Sequence, residues 1–125
     1  MRLLLDTHVF LWWLSDDARL LPETRAVIAD GSNDVLVSAV SFAEIAIKSS
    51  VGRLQAPSDL FAALAEEGFD ELPLLARHAA LLGDLPFHHR DPFDRMLVAQ
   101  SLAEGVPLVT YDDRLRLYPV TIATG

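Results

Sequence analysis

Asp6, Glu44, Asp94 and the pair Asp112-Asp113 are the residues of this chain most able to do chemistry together. Asp6 directly follows the apolar run Leu3-Leu4-Leu5, and Asp112-Asp113 follow Leu108-Val109-Thr110. Glu44 lies about one helical turn into the segment after Val35-Leu36-Val37. Asp94 lies in the first turn of a helix that opens near Pro92. Each acid alone has an ordinary explanation as a turn former, a helix cap or one half of an ion pair. Glu44 resists that explanation most, because its neighbours Phe42-Ala43 and Ile45-Ala46-Ile47 are apolar nearly all round. A buried carboxylate is rare unless it is paired or bound to a metal. Brought together, these groups would repel and raise one another's pKa. A hard divalent cation removes the conflict: Mg²⁺ or Mn²⁺ prefers oxygen ligands and keeps several waters. Such an ion can make water nucleophilic and stabilise a phosphoryl transition state, so phosphodiester hydrolysis is the reaction class these residues would serve.

Convergence needs a scaffold, and the hydrophobic pattern supplies one. Short apolar strands are expected at Leu3–Leu5, Asp34–Ser38, Pro107–Thr110 and Val120–Ile122, with a weak edge strand at Glu71–Pro73. Helices are expected over Thr7–Leu14, Pro22 to about Asp30, Ala39–Ser50, a segment capped by Ser58 and ended by Gly68, Leu75–Leu82, and Pro92–Glu104 ended by Gly105. Strands alternating with helices predict an α/β protein, a three-layer α/β/α sandwich with a central, mostly parallel sheet. In such sheets ligands bind beyond the carboxyl ends of the strands, where the acids above fall. With Pro92 as the first helical residue, Asp91 is the N-cap, which leaves Asp94 free to face the cleft.

The composition narrows the alternatives. The 125 residues include no cysteine, which excludes disulfides, thiolate zinc sites, iron–sulfur clusters and a cysteine nucleophile. The amino terminus is too short in apolar residues and too soon interrupted by Asp6 for a signal peptide, and no run could span a bilayer. A cytoplasmic chain without membrane association is therefore expected. The formal charge of -8, from 18 acids against 10 basic residues, opposes a simple electrostatic nucleic-acid binder. His88-His89 lack the cysteines or His-x₃-His spacing of a zinc site and read as loop residues with phosphate contact as a sharper option. Arg95 is a candidate for positioning phosphate or pairing with a carboxylate. Trp12 and Trp13 are adjacent on a helix and cannot face the same way, so one is expected in the core and the other nearer solvent.

The chain resembles the PIN-domain ribonucleases, in particular the VapC toxins of toxin–antitoxin pairs. The resemblance is carried by Leu4-Leu5-Asp6-Thr7-His8, by Ser38 through Lys48, by His88 through Gln100, and by Leu108-Val109-Thr110-Tyr111-Asp112, and it runs over essentially the whole chain. It implies one nuclease domain over residues 1–125. Carried over position by position, it places the catalytic and metal-binding acids at Asp6, Glu44, Asp94 and Asp112, with Thr110 as a supporting hydroxyl. It further implies Mg²⁺- or Mn²⁺-dependent hydrolysis of RNA by metal-activated water, a homodimer, and a cognate antitoxin that blocks the site. A catalytically silent PIN-like module binding RNA or protein is the alternative. A receiver-type signalling domain fits less well, because the first strand ends in a single Asp6 and no lysine follows Lys48.

Overall fold

The computed structural model describes residues 1–123. Four strands form one sheet: β1 (Arg2–Leu5), β2 (Asp34–Ser38), β3 (Asp70–Leu72) and β4 (Leu108–Val109). Their order is β3-β2-β1-β4 and every pairing is parallel. Six α-helices connect or flank them: α1 (Thr7–Ser15), α2 (Pro22–Ala29), α3 (Ala39–Ser50), α4 (Leu60–Glu67), α5 (Ala76–Ala79) and α6 (Pro92–Glu104). The expected α/β/α sandwich is borne out. Among the described residues, no helix is long and apolar enough to cross a membrane.

Burial on both faces explains why the strands are apolar runs rather than alternating ones. Along β1, Leu3 and Leu5 join Val9, Phe10, Ile28, Ile45 and Leu64 in one core, while Leu4 joins Leu36, Leu97, Val98 and Leu115 in the other. The strand order reverses beside β1, because β2 and β3 extend to one side and β4 to the other. That reversal opens a crevice at the carboxyl ends of β1 and β4. Register makes those ends flush: Leu5 pairs with both Val37 and Val109. The next residue of each chain segment, Asp6, Ser38 and Thr110, therefore lies at the same sheet edge.

Polar ties hold the helices over that edge. Ser38 caps α3 by accepting from the Val40 N–H and donates to Gln100 Oε1 at 2.5 Å. Gln100 in turn donates to the Pro73 carbonyl at 3.2 Å, so α6 is tied to the ends of β2 and β3. Thr7 donates to Ser41 at 2.8 Å and joins the first turns of α1 and α3.

Three expectations need correction. Asp59, not Ser58, caps α4, accepting from the Ala62 N–H at 3.0 Å. Adjacent residues of two good capping types left the local sequence ambiguous. The helix expected over Leu75–Leu82 is the four-residue α5 followed by a 3₁₀ turn, Ala80–Asp84, where Gly83 and then Pro86 oppose a longer helix. The last strand reduces to one bridge between Leu108 and Ile122. β4 itself spans only Leu108–Val109 and offers little edge for a further strand.

Gly105 ends α6 at φ 64°, a left-handed conformation that a side chain disfavours, although a Cβ there would meet nothing within 4 Å. Gly105→Ala should therefore cost about 1 kcal/mol through backbone strain alone. Urea unfolding should show a lower midpoint with an unchanged slope.

Candidate functional site

Asp6 takes two roles from one position. Its Oδ1 accepts the Val9 N–H at 2.8 Å and caps α1, while its Oδ2 accepts the Thr110 hydroxyl at 2.5 Å. Thr110 Oγ1 also accepts the Asp112 N–H at 3.1 Å. One hydroxyl thus links the acid after β1 to the acid after β4. Burial pushes the Asp6 carboxyl above its ordinary range, the bonds from Thr110 and Val9 oppose that rise, and the charge of Glu44 adds to it.

Glu44 is almost wholly buried on α3, at 2% exposure. Its Oε2 accepts from Lys48 Nζ at 2.5 Å, one turn along the same helix. Burial alone would lower the Lys48 ammonium, but its bond to Glu44 holds it above its ordinary value. The other carboxylate oxygen, Oε1, is buried with no hydrogen-bond partner. Leaving such an atom unsatisfied is costly, so it marks a position suited to a cation.

Asp91 caps α6 through bonds from the Phe93 N–H at 2.8 Å and, more weakly, the Asp94 N–H at 3.4 Å. The Asp94 carboxylate is left to the cleft, as its electrostatics record. Burial pushes it up to about 7, and the charges of Asp91, Glu44, Asp6 and Asp112 each add to the rise. Asp112 behaves oppositely. Burial works against its ionisation, yet bonds from the Arg114 backbone and side chain and from His89 hold it below the ordinary range. Asp113 is almost fully exposed and lies 3.7 Å from Arg116, away from this group. The structure therefore brings Asp6, Glu44, Asp94, Asp112 and Thr110 together.

Arg95 does not join them. Its guanidinium donates to the carbonyls of Pro86, Leu82 and Leu85 and to the Tyr118 hydroxyl, and it lies 4.3 Å from the Phe87 ring centroid. The expected phosphate or carboxylate contact is replaced by a structural one, since a fork of donors satisfies the loop carbonyls before α6. His89, expected as a loop residue, is in that loop but buried, with Nε2 2.9 Å from Asp112 Oδ2 and 3.1 Å from Asp94 Oδ2. The contact with the acids is not legible in the sequence, where His88-His89 read as loop residues or a phosphate contact, because a loop histidine carries no periodic signal. The partner of Glu44 is Lys48 and not an arginine, and the four-residue spacing of the two on one helix is the signal that could have shown it. Trp13 donates to Glu67 at 3.0 Å and packs on Phe69, while Trp12 packs toward Tyr111 and under Arg19. Both are half-buried, so neither is the fully exposed anchor. A cavity of about 330 Å³ adjoins the acids, lined by Asp6, His8, Val9, Trp12, Arg19, Tyr111 and Asp112.

The PIN domain family matches residues 3–120 of this chain. Ribonuclease VapC22 of Mycobacterium tuberculosis (strain ATCC 25618 / H37Rv) is 31% identical, with 95% of this chain and 96% of that protein covered. Among solved structures, VapBC2 from Rickettsia felis, bound to a DNA fragment from their promoter, matches with a TM-score of 0.73 and 17% identity over 99% of this chain and 98% of that one. DNA-bound VapBC from Salmonella typhimurium matches with a TM-score of 0.70 and 16% identity over the same shares.

The raised Asp94 pKa fixes the sign of a pH effect. Folded Asp94 keeps its proton to about 7, whereas the unfolded carboxyl loses it near 3.8. Between these values the folded state binds the extra proton, so stability falls as pH rises, by on the order of a few kcal/mol. The metal-free protein should melt at a higher temperature at pH 5 than at pH 7.5, and Asp94→Asn should reduce that difference, the raised Asp6 carboxyl adding to what remains.

Proposed function

The chain belongs to the PIN domain family, and from that premise we propose that it is a divalent-metal-dependent ribonuclease acting as the toxin of a toxin–antitoxin pair. The observation that carries the metal reading is the buried, unpartnered Oε1 of Glu44 beside carboxylates whose charges all bear on Asp94. All-oxygen donors of this kind suit Mg²⁺ or Mn²⁺. Asp6, Glu44, Asp94 and Asp112 would hold the ion. When bound, it would supply a nucleophilic water and stabilise the charge of the phosphoryl transition state.

The chain's own residues do the positioning. Thr110 aligns Asp6 with Asp112 through one hydroxyl. Lys48 holds one oxygen of Glu44 and leaves the other without a hydrogen bond. Asp91 caps α6 and so spares Asp94 that task. The neighbouring cavity offers Trp12, Tyr111 and His8 as ring surfaces and Arg19 as a cation, the chemistry that receives unstacked bases of single-stranded RNA.

The relative's name, Ribonuclease VapC22, supports RNA as substrate, and the VapBC complexes support a cognate antitoxin as partner. Residues 1–125 are read as one nuclease domain, working as a homodimer in the cytoplasm. A catalytically silent module is disfavoured because the acids converge on a common crevice.

Cleavage of a labelled single-stranded RNA by the purified chain tests this reading. EDTA should abolish it and Mg²⁺ or Mn²⁺ should restore it. Asp6→Asn and Asp94→Asn should lower turnover by more than about 100-fold, beyond the loss typical of a group that merely supports a metal ligand. Asp91→Asn should retain activity within about 10-fold, because Asn also caps a helix. Undiminished cleavage in EDTA would overturn the metal mechanism.

A further inference from the structure

We propose that His89 is a positioning residue: its Nε2–H, bonded to Asp112 and set against Asp94, holds these two carboxylates in place for a divalent cation that His89 itself does not ligate. The inference rests on the metal-dependent reading above and deepens it.

The three side chains come from three places, namely α6, the segment after β4, and the loop before α6. Their ligand-type atoms lie within 4.8 Å of one another, which by composition alone would suit a His–Asp–Asp metal site. The other ring nitrogen argues against that role. Nδ1 of His89 accepts the Asp91 backbone N–H at 3.0 Å, so it presents a lone pair and carries no proton. A neutral imidazole bonded in this way has its hydrogen on Nε2. A ligating Nε2 would need that lone pair for the metal and would put a hydrogen on Nδ1, against the Asp91 N–H. The ring is therefore set as a donor: Nε2–H bonds Asp112 Oδ2 at 2.9 Å, and Asp94 Oδ2 lies 3.1 Å from the same nitrogen as a charge contact. The other oxygen of Asp112, Oδ1, accepts the Arg114 backbone N–H at 2.9 Å and the Arg114 Nε–H at 3.3 Å, so that this carboxylate is fixed from both sides.

The loop is built to hold this ring. The His89 backbone N–H donates to the Tyr118 hydroxyl at 3.1 Å, and that hydroxyl donates to the Pro86 carbonyl at 2.7 Å. Arg95 donates to the same hydroxyl at 3.2 Å and to the same carbonyl at 2.8 Å. Tyr118 and Arg95 are themselves buried, at 3% and 7% exposure. Arg95 thus supports the acids at one remove, through the loop that carries His89.

The test uses the full chain and Mn²⁺ alone. Manganese EPR should give a His89→Ala variant whose Mn²⁺ affinity is lower by about 10- to 100-fold, the usual effect of removing a group that orients metal ligands. His89→Gln, which keeps an N–H donor at similar reach, should recover most of that loss, whereas a purely structural role would not distinguish a donor from other side chains of like size, such as His89→Met. Wild-type protein loaded with Mn²⁺ should show no hyperfine coupling from a coordinated nitrogen, and ¹⁵N NMR of the metal-free protein should find the hydrogen of His89 on Nε2. Coordinated-nitrogen coupling, an Nδ1–H tautomer, unchanged affinity in His89→Ala, or equal behaviour of the Gln and Met variants would overturn the positioning role. Wild-type protein that binds no Mn²⁺ would instead overturn the metal reading, and the positioning role with it.

Discussion

Four carboxylates at one low-dielectric edge repel one another, and the surrounding structure is organised around that repulsion. The sheet creates the problem by ending β1 and β4 at one edge, so that Asp6 lies level with Thr110 and beside the turn that carries Asp112. Burial makes it severe, since Asp94 is pushed up to about 7 and Asp6 is raised as well. The remedies are specific donors: Thr110 on Asp6, Lys48 on Glu44, and His89 and Arg114 on Asp112. They leave Asp94 still raised and one oxygen of Glu44 unpartnered, and a divalent cation would complete the set.

This distribution gives the acids distinct environments. Asp112, bonded by Arg114 and His89, is the readily ionised member. Asp94, buried among like charges, and Asp6, buried at the end of β1, are the members reluctant to ionise without a cation. The formal charge of -8 takes on a different meaning in this light. Taken over the whole chain it opposes nucleic acid, but several of its acids converge on one crevice, and two divalent ions there would halve it. RNA binding would then depend on the ion, on Arg19 and on ring surfaces, more than on a basic face.

Much of this was legible in the sequence where punctuation was unambiguous. β2 and α3 follow from the β-branched run ending at Ser38, and α6 from Asp91-Pro92 at one end and Gly105 at the other. The acids were legible because each follows a strand or opens a helix. Illegible features depended on tertiary contacts. Ser58 and Asp59 were equivalent until the Ala62 N–H selected one. Arg95 has the type of a phosphate ligand, yet carbonyls from a loop ten residues upstream take its donors. His89 reads in the sequence as a loop residue or a phosphate contact, and only Tyr118 and the Asp91 N–H turn its ring to the acids.

On this reading Asp6, Glu44, Asp94 and Asp112 form one cation site, with histidine outside the coordination sphere. Anomalous diffraction from crystals grown with Mn²⁺ tests it most directly. A manganese peak is expected in the crevice between β1 and β4, bonded to carboxylate oxygens that include Glu44 Oε1, with the His89 ring still donating to Asp112 beside Asp94. A peak bonded to His89 Nε2, or manganese bound elsewhere with this crevice empty, would contradict it.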